Sequence, residues 1–179
     1  MKNKKLRFTL LLAVVSAVLV TAATATAASI TATATLTGAG ALSLNLPANP
    51  SMSATLAGVD QTVSYSPVLG LVDARGTGTG WNLTIAATTF SDGSGHTLAP
   101  GTVTGASQVC HAGSSCTLAT SSIAYPITVS STAAKLFNAA VNTGLGQIDV
   151  TPTVQVAVPG NAFAGVYTST VTLAAVSGP

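Results

Sequence analysis

The sequence predicts an all-β protein, an antiparallel β-sandwich of immunoglobulin-like or Greek-key type, and three observations carry that expectation. Apolar and polar residues alternate in short runs, the period-2 pattern of strands with one buried face. Turn residues separate the runs, and the 17 glycines supply many of them. No long amphipathic helix interrupts the series, so sheet must pack on sheet. With 47% hydrophobic and 6% charged residues, the composition is the reverse of that of charge-driven disorder.

The N-terminal element reads as an export signal. Lys2, Lys4, Lys5 and Arg7 form a basic region, an apolar run extends from Leu10 to Val20, and Ala25-Thr26-Ala27 has the small-x-small pattern of a cleavage site. The apolar run is shorter than the ~20 residues that span a bilayer, so a signal peptide over 1–27 is expected, with no transmembrane anchor after cleavage. Residues 28–179 then form a single domain. The Thr/Ala tract over 21–37 reads as an alternating strand that opens the sandwich.

Candidate strands follow in order. Residues 29–37 alternate Thr with Ala, and 41–46 alternate Leu42, Leu44 and Leu46 with small or polar residues. Residues 52–56 and 61–66 are short alternating runs, and 69–74 carries Leu69 and Leu71. The run 81–90 opens with Trp81, Leu83 and Ile85; 122–129 and 147–158 repeat the pattern with Ile and Val; 166–176 carries Tyr167, Val171 and Leu173. Turns are expected at 47–50, 76–80, 91–95 and 159–165. Residues 133–141 are the one stretch where a helical turn could sit.

The charges and cysteines exclude several function classes. The formal net charge of +2 includes four cations of the leader, and the remainder keeps Arg75 and Lys135 against Asp60, Asp73, Asp92 and Asp149. Two isolated cations cannot bind nucleic acid by counterion release. Attachment to an anionic surface must therefore use hydrogen bonds, stacking or apolar contact. Cys110 and Cys116 are expected to form a disulfide in an exported protein, worth about 2 kcal/mol and pinning a hairpin tip. His111 and His96 lack the further ligands that a zinc site needs, so no metal is expected.

No catalytic constellation is legible. The chain has no glutamate, and Asp92-Gly93-Ser94-Gly95-His96 lies in one turn, whereas a triad converges from separate elements around an oxyanion hole. Gly76-Thr77-Gly78-Thr79-Gly80 opens no helix and carries no lysine, so it does not cradle phosphate. The expectation is a non-enzymatic protein without cofactors.

The segment from Asp73 through Arg75 to Gly80-Trp81-Asn82-Leu83 delivers a Trp-x-Leu triplet from a glycine-rich turn into a strand, with Trp81 and Leu83 on one face. That face is either a core anchor or a ligand contact. Asp73 and Arg75, two residues apart, are placed to pair with each other or with turn amides. Asn82-Leu83-Thr84 matches a glycosylation sequon that would fall within a strand.

Together with Ala164-Gly165-Val166-Tyr167-Thr168-Ser169-Thr170-Val171-Thr172-Leu173, this segment resembles the WxL-domain family of secreted bacterial surface proteins. That family carries a proximal Trp-x-Leu and a distal Tyr-x-x-x-Trp-x-Leu. The proximal motif matches at Trp81 and Leu83; the distal one matches at Tyr167 and Leu173, with Val171 where the family has tryptophan. The resemblance implies a non-covalent cell-wall-binding module that attaches to peptidoglycan or to other surface proteins, with Trp81, Leu83, Tyr167 and Leu173 as its motif residues. The last strand is also similar to those of pilin-like and spore-coat-like sandwich subunits. The alternative is a structural subunit of a surface fibre or pilus assembled by strand addition, because low charge leaves sheet edges poorly protected against pairing and the N-terminal tract could be donated as a strand.

Overall fold

The computed structural model describes residues 31–38 and 40–179; the leader expected over 1–27 lies outside them. The chain divides into two units, Met1–Thr35 and Leu36–Pro179. Of the first, residues 31–35 are exposed and carry no regular secondary structure. The second contains twelve strands: β1 Ser43–Asn45, β2 Gln61–Tyr65, β3 Leu69–Asp73, β4 Trp81–Ala87, β5 Phe90–Ser91, β6 Thr97–Leu98, β7 Thr102–Cys110, β8 Cys116–Thr117, β9 Ile127–Thr128, β10 Ala134–Ala139, β11 Leu145–Val158 and β12 Val171–Ser177. No helix occurs among the described residues.

Two antiparallel layers enclose the core. In the larger, β11 is the spine, with order β1-β3-β11-β7-β9; β2 and β8 also pair with β11. The smaller has order β10-β4-β12, and β5 and β6 form a separate two-stranded ribbon. Alternation fixes what each layer buries: Trp81, Leu83, Ile85 and Ala87 from β4 meet Ile148, Val150 and Val154 from β11, with Leu69 and Leu71 from β3. These residues are at most 4% exposed.

β3 and β2 lie end to end along one edge of β11 in an unbroken register, from Gly146↔Asp73 to Val150↔Leu69 and then from Val154↔Tyr65 to Val158↔Gln61. That register sets Pro67 opposite Pro152. Neither proline can donate to the ladder, so the pairing lapses there and resumes beyond. On the other edge, β7 and β8 lie end to end in the same way, with Cys110 opposite Ile148 and Cys116 opposite Gly146.

Several sequence expectations are corrected. Residues 31–37 of the expected first strand are exposed coil; alanine methyls bury too little area to hold an isolated strand. Residues 52–56 are unpaired, and only Met52 is half-buried. The 81–90 run breaks after Ala87, and 122–129 shrinks to Ile127–Thr128 after a cis Tyr125–Pro126 bond. The stretch considered for a helical turn is instead strand β10. A bulge between Lys135 and Phe137 turns the adjacent Leu136 and Phe137 both inward, which erases the period-2 signal. The long strand β7 went unread because Gly105, Ala106 and Ser107 give it little amphipathic contrast; its ladder with β11 makes it a strand.

Candidate functional site

One end of the smaller sheet is built around Trp81. Its indole is 0% exposed, its Nε1–H donates to the Gly144 carbonyl at 2.8 Å, and its ring centroid lies 6.1 Å from that of Phe137. Leu83 is likewise 0% exposed. The preceding turn needs its glycines: Gly76, Gly78 and Gly80 have φ of 69°, 64° and 72°, in the left-handed region where Cβ-bearing residues are strained. The Asn142 amide donates to Gly78 O at 2.7 Å, and the Gly178 amide to Gly80 O at 3.1 Å.

Asp73 and Arg75 clamp this turn shut. Nε and Nη2 of Arg75 each donate to an Asp73 carboxylate oxygen at 2.8 Å, and Nη2 also reaches Gly80 O at 2.8 Å. Nη1 donates to Ser177 Oγ. The Asp73 side chain is fully buried and that of Arg75 is 14% exposed. The pair thus combines a buried carboxylate with a partly buried guanidinium and is only partly screened by solvent. The hydrogen bonds from Arg75 hold the Asp73 carboxyl below its ordinary range, outweighing the opposing effect of burial.

The two motifs, distant in sequence, run on neighbouring strands. β12 pairs with β4 so that Ser177 faces Trp81, Ala175 faces Leu83, Leu173 faces Ile85 and Val171 faces Ala87. Leu83 and Leu173 are therefore diagonal neighbours on the inner face. Val171, Leu173 and Ala175 pack partly buried against the core. Tyr167 lies beyond the other end of this ladder from Trp81, and its hydroxyl donates back to Phe163 O at 3.0 Å. Of the four motif residues, Trp81 and Leu83 are closed to any ligand in the folded protein, while Tyr167 and Leu173 line a cleft.

That cleft has two adjoining lobes. One, of about 480 Å³, runs between residues 46–52 and 167–173, with Tyr65, Phe90 and Tyr167 in its wall. The other, of about 410 Å³, shares Met52, Phe90 and Tyr167 and adds Phe163. Val171 lines the first lobe; an indole at that position would take up part of the space that the valine leaves. Sequence reading missed Tyr65, Phe90 and Phe163, because single aromatics in separate runs give no sign that they converge.

The family model described as WxL domain, surface cell wall-binding, matches residues 48–176. The chain belongs to the WxL family. This match covers nearly all of the paired strands and identifies an extracellular, cell-surface domain of a kind that binds cell wall. No curated protein and no solved structure shows a match.

Two other polar sites remain. Cys110 and Cys116 form a disulfide with Cα atoms 5.6 Å apart. It staples the base of a five-residue excursion from one edge of the larger sheet, where a hairpin tip was expected. Within that excursion, His111 Nδ1 lies 3.0 Å from both Asp149 oxygens. In the 91–96 turn, Asp92 accepts from the His96 ring and from the Ser94 and His96 amides. The ring bond, then the Ser94 amide, hold its carboxyl low. Ser94 makes no side-chain bond to His96, so the acid, hydroxyl and imidazole form a polar turn and no relay. Among the described residues, no group of three His, Cys, Asp or Glu side chains is placed to hold a metal, and no helix is long and apolar enough to cross a membrane.

Proposed function

We propose that this WxL-family chain is exported by a leader over residues 1–27 and attaches non-covalently to peptidoglycan through residues 28–179, without catalysing a reaction. The observation that carries the reading is the family match across the sandwich. The mode of attachment follows from charge: Arg75 is engaged by Asp73, which leaves Lys135 as the other cation beyond the leader. Contacts to the wall are accordingly hydrogen-bonded, stacking and apolar. Trp81 and Leu83 serve as the buried scaffold of the motif, and Tyr167 and Leu173, both lining the cleft, are its members open to a ligand.

Co-sedimentation of the full chain with purified cell walls tests this. Retention is expected at low salt and equally at ~1 M salt, where the Debye length falls to about 3 Å. A chain that stays in the supernatant at low salt refutes the reading. Assembly into a fibre finds no comparable support, since the matched family is one of wall-binding domains.

A further inference from the structure

We propose that the two-lobed trough astride Tyr167 binds the uncharged amino-sugar strand of the wall polymer and not its charged peptide stems; this rests on the wall-attachment reading above. Three observations lead there. The first is charge: neither lobe is lined by an Asp, Lys, Arg or His side chain, and the Asp92–His96 pair that borders Phe163 is engaged with itself. Peptide stems present carboxylates and amines, which a site without countercharges would have to desolvate unpaired. N-acetylated sugars present hydroxyls, neutral amides and apolar C–H faces.

The second is the distribution of aromatic residues. The chain has 4 Phe, 3 Tyr and 1 Trp, and Tyr65, Phe90, Phe163 and Tyr167 gather along the trough. Phe163 is 62% exposed, with one face on the His96 ring and the remainder of its ring open to a ligand. Flat rings, with Thr168, Ser169 and Thr170 also in the lining of the first lobe, offer a sugar a stacking face with polar residues nearby. The two lobes meet at Met52, Phe90 and Tyr167, so a linear chain of sugars can cross Tyr167, whereas a single residue would fill only one side. Each lobe falls within the roughly 300–1,000 Å³ of ordinary ligand sites.

The third is preorganisation. The Tyr167 hydroxyl holds the Phe163 carbonyl, and the His96 ring stacks on Phe163 with centroids 3.9 Å apart. Ser91 and Thr168 exchange backbone hydrogen bonds of 2.9 and 3.0 Å. The aromatic loop is therefore positioned without a ligand, which lowers the ordering cost of binding.

The test uses the full chain with three probes: intact sacculi, neutral oligomers of N-acetylglucosamine, and free stem peptide as competitor. Binding to sacculi and to the neutral oligomers, undisturbed by the peptide, is expected. Phe163→Ala and Tyr167→Ala should each weaken binding about tenfold, and Val109→Ala, at an exposed position of β7, should leave it unchanged. Emission from Trp81, buried at the other end of the ladder, reports that each variant is folded; Phe163→Ala removes an exposed ring and serves if Tyr167→Ala does not fold. Displacement by stem peptide, or wild-type affinity in folded Phe163→Ala, overturns the trough while wall attachment stands. Failure of the unmodified chain on intact sacculi overturns both.

Discussion

Trp81 has two jobs that a smaller ring cannot both fill: it fills the core at one end of the smaller sheet and satisfies the Gly144 carbonyl. Trp81→Phe leaves that carbonyl without its donor and opens a cavity. Urea denaturation should show a loss of about 2–4 kcal/mol, and variant that remains folded should still sediment with cell walls. Gly144 is the other half of the contact. A Cβ there would lie 2.6 Å from Trp81 Nε1, at a φ of +71°, so Gly144→Ala is expected to destabilise by at least about 1–3 kcal/mol. The sequence marked Trp81 as an anchor or a contact without deciding which. Its partner lies 63 residues away, and nothing local to the Trp-x-Leu triplet names Gly144.

At the scale of elements, alternation was legible where a strand has one dry face and illegible where the backbone departs from regular pairing. β4 and β11 were readable because every second residue is buried; β10 was not, since its bulge points two successive side chains inward. The disulfide was likewise legible as a bond but not as a place, because the two cysteines sit on strands that continue one another along β11. Cys110→Ser with Cys116→Ser frees a ring of only seven residues, so a cost of about 2 kcal/mol is expected, with cooperative unfolding preserved in thermal melts. The Asp73–Arg75 clamp joins β3 to the turn before β4 and, through Ser177, to the end of β12. Asp73→Asn leaves a partly buried guanidinium without its carboxylate, and chemical denaturation should register a loss of about 1–3 kcal/mol.

For the molecule as a whole, the same clamp sets the response to acid. The folded-state pKa of Asp73 is lowered by Arg75, so its stabilising contribution is present above the unfolded value of about 3.9 and is lost as pH falls through the folded one. Asp92, lowered by His96, acts with the same sign. The denaturation midpoint should therefore fall below about pH 4, and more steeply in the parent chain than in Asp73→Asn, as tryptophan emission across a pH series would show.

Composition and period determined by themselves that the chain is all-β, since alternating residues can be buried together only on one face of a strand. The Trp-x-Leu and Tyr-x-x-x-Val-x-Leu patterns pointed to the family, and the scarcity of cations excluded ionic attachment. Tertiary structure alone decided that Trp81 and Leu83 face inward, that Pro67 meets Pro152, and that Tyr65, Phe90, Phe163 and Tyr167 share one trough. The reason is physical: local sequence sets which side chains share a face, whereas which face is covered, and by what, depends on strands paired across nearly a hundred residues.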